Sequence, residues 1–232
     1  MVTVRHRILF LSILSVSLAH AQDPPTESAR PAPVVEDKRA YGVLPNNRTT
    51  EASNPFLALT AKQKLTIAAK DSFDGAVYPT AAIFSVVYQA ENDNPSFGQG
   101  FRGYARRVGT AFGDQMIGNM MTEGVAPALL HEDPRYFRLG EGSKKRRIWY
   151  AATRIFVTPT DKNHMTFNFA EWGGNAVAVA ISNAYYADGR TAVDNVQRLL
   201  IQCGTDALSN VLKEFWPDVK RRLSKKKNEP VN

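Results

Sequence analysis

The segment "LLHEDPRYFRLGEG", residues 129–142, gathers His131, Glu132, Asp133, Arg135, Tyr136 and Arg138 into one short polar stretch between apolar ones. A histidine beside carboxylates is the material of general acid–base chemistry, so His131 with Asp133 is the candidate catalytic pair of a hydrolase. Arg135 and Tyr136 are candidate binding groups for the same site. The residues also fit the end of a helix and the turn after it. Pro134 biases Asp133 out of the helical region, and Asp-Pro is itself a turn signal. His131 then sits in a last helical turn, where the dipole favours it, and Arg135 or Arg138 pairs with Glu132 or Asp133. The structural reading is the stronger of the two, with Tyr136 and Phe137 pinning the turn to the core.

Other chemistries find less material. Neighbouring residues on a helix point about 100° apart, so His131 and Glu132 do not easily share one ion. There is no HExxH and no second histidine at i+4, and the only other histidine past the leader is His164. No metal and no cofactor are expected. A G-x-S-x-G is absent, and Ser182 and Ser209 fall within helical patterns. Gly98, Gly100 and Gly103 spell G-x-G-x-x-G, but no strand precedes them, which removes the context a dinucleotide site needs. Asp114, Asn119, Asn175, Asn183, Asp206 and Asn210 lie on otherwise apolar helices. Asp114 and Asp206 are candidate binding groups, although buried polar residues of this kind more often form a network between helices.

The elements that must position these groups are helical. Val196, Leu199, Leu200, Cys203, Ala207, Val211 and Phe215 recur at steps of three and four, which predicts a long amphipathic helix. Thr191-x-x-Asp194 would cap it, and Pro217 would end or kink it. Thr60-x-x-Gln63 is a capping box that opens an earlier helix running to about Asp74. Glu123-Gly124 and Pro127 punctuate the helix before "HEDPRYFR". Gly109, Gly113 and Gly118 on one helix, and Ala176, Ala180 and Ala184 on another, predict helices that cross at short distance, because glycine inside a helix costs roughly 1 kcal/mol and wants a packing reason. Residues 75–90 and 172–187 are uncharged, but 16 helical residues reach only about 24 Å of a roughly 30 Å hydrocarbon core, so they read as buried core helices. "RIFVTPTDKNHMTFNFAE" alternates over a few positions and reads as one short β-hairpin or an irregular loop. Nothing repeats it, which argues against a barrel.

The ends of the chain bear on location. Arg5, His6 and Arg7, the apolar run Ile8–Leu18 and Ala19-His20-Ala21 make a secretory signal peptide, residues 1–21, with Gln22 as the expected mature start. Residues 22–55 carry six prolines and few large apolar side chains, which predicts a disordered linker. Residues 56–223 are then a helical domain and 224–232 a basic disordered tail. The single cysteine, Cys203, forms no internal disulfide and reads as a buried small hydrophobe. The formal net charge is +7, concentrated in Lys144, Lys145, Arg146 and Arg147 and in the run Lys220, Arg221, Arg222, Lys225, Lys226 and Lys227. For an exported chain, anionic lipid or another envelope surface is the expected counter-surface, not nucleic acid.

The stretches "GQGFRGYARRVGTAFGDQMIGN", "LLHEDPRYFR", "FNFAEWGGNAVAVAISNAYY" and "GTDALSNVLKEFWPDVKRRL" resemble a family of uncharacterised exported bacterial proteins, over about residues 40–223. The resemblance implies export and a single domain; no activity comes with it. The sequence therefore predicts an all-α domain, with at most one short hairpin, in an exported envelope protein of structural or binding role that sits in the periplasm or peripherally on a membrane. The alternative is an envelope hydrolase using His131 with a nearby carboxylate.

Overall fold

The structure, a computed structural model, describes residues 39–40, 44–75 and 77–227. The signal-peptide assignment and the last residues of the basic tail lie outside the described residues. Two two-residue strands, β1 (Arg39–Ala40) and β2 (Leu44–Pro45), pair antiparallel. The strand β3 (Thr49–Glu51) follows and pairs in parallel with β4 (Tyr136–Arg138), Thr49 opposite Tyr136. Residues 46–55 thus belong to the fold and not to the expected linker, with Arg48 and Thr50 buried. A strand of three residues is too short to show a period against its prolines.

Helix α1 (Ala61–Ser72) opens on the anticipated capping box: Gln63 N donates to Thr60 Oγ1 and Thr60 N donates to Gln63 Oε1. After α2 (Val77–Ala90) and a 3₁₀ turn at Pro95–Phe97, α3 (Gly100–Asn119) begins. Gly98, Gly100 and Gly103 serve this junction and no nucleotide. Gly98 and Gly100 hold φ of +74°, and a Cβ on Gly103 would lie 2.2 Å from the Gly98 carbonyl oxygen. The buried Arg107 donates to the Gly98 and Asp93 carbonyls and locks the turn.

The expected break at Gly124 and Pro127 does not occur. The chain stays helical through a π turn, Met120–Val125, into α4 (Ala126–Leu130). Pro127 cannot donate to the Glu123 carbonyl and crowds it, and a widened turn relieves that conflict without ending the helix. Ser143 caps α5 (Lys144–Thr153), donation coming from Arg146 N. The alternating segment is a hairpin, β5 (Val157–Pro159) with β6 (Met165–Phe167), Val157 opposite Phe167. Then come α6 (Phe169–Ser182) and α7 (Ala192–Lys227), the latter opened by reciprocal bonds between Thr191 and Asp194. Pro217 lies inside α7, which runs on as helix into the expected tail. The Glu214 carbonyl, in the turn that Pro217 disturbs, accepts from Arg147 Nη2 at 2.7 Å. The domain is all-α, with the described strands confined to three short pairs where one hairpin was expected.

Close approach exists, but not where the glycine spacing places it. A Cβ at Gly109, Gly113 or Gly118 would meet nothing within 4 Å. The tight contacts are at the π turn: a Cβ on Gly124 would lie 3.0 Å from Ala68 Cβ, and one on Gly174 3.0 Å from the Met121 carbonyl carbon. Gly174 lets α6 lie on the backbone of the π turn.

The polarity of the helices is inverted relative to expectation. On α6 the inward residues are Glu171, Gly174, Asn175 and Ser182, and the alanine row faces out. On α7 Cys203, Asn210, Lys213 and Glu214 are buried, whereas Val196 and Leu200 of the predicted apolar stripe are more than half exposed. On α2 only Val77, Ala81 and Ser85 are buried, and Ile83 is 67 % exposed with Phe84 and Val86 beside it. The uncharged segments are therefore not core helices. No helix among the described residues is long and apolar enough to cross a membrane.

Candidate functional site

The "HEDPRYFR" residues are distributed to separate structural tasks. His131 closes α4 in a left-handed conformation, φ 56°. Its side chain is 81 % exposed, and its Nδ1 is 3.6 Å from Asp161 Oδ2. That carboxylate is already held by the buried Lys64, whose Nζ donates to both oxygens at 2.7 and 2.8 Å. Glu132 is buried and turns to α6, accepting from Ala170 N at 2.7 Å and Phe169 N at 3.3 Å. A carboxylate there satisfies free N–H groups of a helix start and meets the positive end of its dipole.

Asp133 is fully buried and holds Arg135: its oxygens accept from Arg135 N, Nε and Nη2, the last at 2.6 Å. Such a forked, charge-assisted pair is among the strong hydrogen-bonded contacts. Arg135 also reaches the Leu57 carbonyl and stacks over Phe56 and Phe137. His131 and Asp133 therefore do not share a cleft, and the expected catalytic pair is not assembled. Tyr136 donates to Glu214 at 2.6 Å. Glu214, wholly buried, further accepts from Leu139 N, Gly140 N and Arg147 Nε. The segment brackets the fold: Glu132 binds α6, Asp133 the hairpin through Thr158 Oγ1, and Tyr136 α7.

Arg147 corrects one partner expectation. It is buried between Glu214 and Asp218 and over Phe215, so it is not part of an accessible basic patch. Lys144, Lys145 and Arg146 remain exposed on α5. Asp114 is half-buried and accepts from the hydroxyls of Tyr185 and Tyr186, a clasp between α3 and the loop after α6. Burial pushes its carboxyl above the usual range, against the lowering effect of those tyrosines.

Inside the helices lies a charged network in which Asp206 takes part. Arg48 Nε is 3.2 Å from Glu123 Oε1, but is not aligned to hydrogen-bond it. Asn47 donates to Asp71. Asn175 Nδ2 donates to Glu171 Oε1 at 3.0 Å and to Asp206 Oδ2 at 3.4 Å. Burial raises Glu123 to about 8, with Arg48 opposing and Asp71 reinforcing. Burial and the nearby Asp206 hold Glu171 well above the carboxylate range. Burial and Arg48 push Lys213 down to about 8. Burial, with Glu171 and Asp206, pushes the Cys203 thiol up to about 12, which makes it an unreactive packing group.

Beside this network, between β4, α5, the hairpin and the start of α6, is a cavity of about 300 Å³. Arg48, Arg135, Arg154, Tyr150, Glu171 and Asn210 are on its wall. Sequence reasoning missed Arg48 and Arg154; Arg48 stands in a polar run that reads as exposed, and only the apolar residues after Arg154 hinted at burial. Among the described residues no group of three or more His, Cys, Asp or Glu side chains could hold a metal ion. Comparison with known proteins finds no matching family, no matching curated protein and no matching solved structure.

Proposed function

We propose that this is an exported cell-envelope protein of binding and structural role that seats peripherally on an anionic membrane surface, in keeping with the family resemblance of its sequence. The observation that carries the reading is the outward placement of large apolar side chains around a charged interior. A water-facing surface of this kind is costly, whereas contact with lipid takes up both the apolar faces and the basic groups that rim them. Helix α5 supplies the clearest anchor: Lys145, Ile148 and Trp149 share one face at i, i+3 and i+4, and Trp149 is 73 % exposed. Tryptophan beside lysine suits the headgroup layer, where one end is apolar and the other wet. The same side-chain distribution disfavours the hydrolase, because the His131 ring is exposed and the carboxylate beside it, Asp161, is already held by Lys64.

The test is cell fractionation with N-terminal sequencing. The chain should begin at Gln22, pellet with membranes, resist a salt wash in part, and be released by detergent. A chain that retains Met1 to Ala21 would sink the export reading. A chain found wholly in the soluble periplasmic fraction would sink the membrane reading.

A further inference from the structure

We propose that the cavity between β4, α5 and the hairpin binds a small molecule that joins an oxyanion, carboxylate or phosphate, to an apolar body. Three guanidinium groups, of Arg48, Arg135 and Arg154, line it. Arg135 is neutralised by Asp133, and Arg48 Nε stands 3.2 Å from Glu123 Oε1, which leaves Arg154 as the guanidinium without a carboxylate. Arg154 has no carboxylate within ion-pair distance among the described residues; it stands over the Tyr150 ring at 4.4 Å, and its buried Nε has no hydrogen-bond partner. Arg48 is more than nine-tenths buried, and its Nε too has no hydrogen-bond partner. Charged side chains inside a protein are seldom left without a counter-charge, and the Arg154 guanidinium on the wall of this cavity points to an acceptor that enters it. Guanidinium groups match the planar spread of oxyanion oxygens.

The carboxylates on the same wall do not cancel this charge. Asp133 is consumed by Arg135, and burial favours the uncharged form of Glu171. The apolar part of the ligand has a place as well. Phe56 and Phe137 stack with ring centres 5.8 Å apart on one side, and Val157 and Met165 of the hairpin lie on the other. About 300 Å³ suits a molecule of one ring or a short chain, at the lower end of ligand pockets. The oxyanion could belong to a free small molecule or to a lipid headgroup.

The experiment is calorimetric titration of the purified mature chain with phenyl phosphate, benzoate and, as the uncharged probe, benzyl alcohol. Phenyl phosphate or benzoate should bind one to one, and benzyl alcohol about ten-fold more weakly or worse. Arg154→Gln should weaken the oxyanions about ten-fold or more, and Lys145→Gln on the surface should not. Arg154→Lys, which keeps the charge but loses the fork, serves where Arg154→Gln does not fold, and should weaken binding several-fold. Vesicle binding by the Arg154 variants separates the sources: unchanged binding to phosphatidylglycerol vesicles assigns a free small molecule, and its loss assigns the headgroup. No one-to-one binding by either oxyanion overturns the proposal, since the cavity is then only hydrated. Equal binding of benzyl alcohol, or parent-strength binding by a folded Arg154 variant, overturns it too.

Discussion

At the scale of single residues, chemistry in this protein has been turned into structure. The buried polar groups of "HEDPRYFR" are each taken by a neighbour, and His131, largely exposed, stands beside Asp161 at the surface. Phe137→Ala, which unstacks Phe56 and frees Arg135, should cost about 3 kcal/mol, whereas His131→Ala should cost under about 1 kcal/mol. Urea midpoints of the two variants would check this, and the reverse order would return His131 to consideration as a functional group. The interior network makes stability depend on pH. Between about pH 4.5 and 8 the folded chain keeps a proton on Glu123 that the unfolded chain has lost, and Glu171, raised as well, acts in the same direction. The stabilising effect of Glu123 is therefore complete below the ordinary carboxyl range and is lost as pH rises toward 8. Lys213 acts in the next window: from about 8 to 10.5 the unfolded chain holds a proton the folded chain has released, so stability recovers there. The urea midpoint should fall from pH 5 to 8 and fall no further above it. Glu123→Gln should flatten the first slope, and an unchanged slope would mean that Glu123 is ionised in the fold.

At the scale of elements, helix positions were legible and helix orientations were not. Capping residues and three-four spacing act locally, so the starts of α1 and α7 could be read directly. Which face turns inward depends on partners far along the chain. Asn175 is buried because Glu171 and Asp206 meet it, and Glu214 because Tyr136 and Arg147 do; a hydropathy pattern weighs such residues as outward. The cavity was illegible for the same reason, since Arg48 and Arg154 come together only through the parallel pairing of β3 with β4 and the fold-back of α5. The glycines show the difference experimentally. Gly113→Ala should be neutral or stabilise by up to about 1 kcal/mol, because its Cβ enters open space and it gains helix propensity. Gly174→Ala should cost about 1–3 kcal/mol, because the obstacle is the Met121 backbone and cannot rotate away. A harmless alanine at 174 would show that α6 does not lie on the π turn.

For the whole molecule, the distribution of polarity is the feature that links fold to function. Charged groups are pooled inside, where most of them pair with one another, and the outer faces of α2, α5 and α7 present Ile83, Trp149 and Leu200 to the surroundings. The proposed interfacial seating needs no crossing helix; it needs an apolar face and a basic rim, and α5 carries both in a few residues. Flotation of the purified mature chain with lipid vesicles in a density gradient tests this most directly. The chain should rise with phosphatidylglycerol vesicles, and far less with phosphatidylcholine. Replacing Trp149 by serine together with Lys144, Lys145 and Arg146 by glutamine should weaken that binding about ten-fold or more. A chain that stays at the bottom of the gradient with every lipid, without aggregating, would contradict the account.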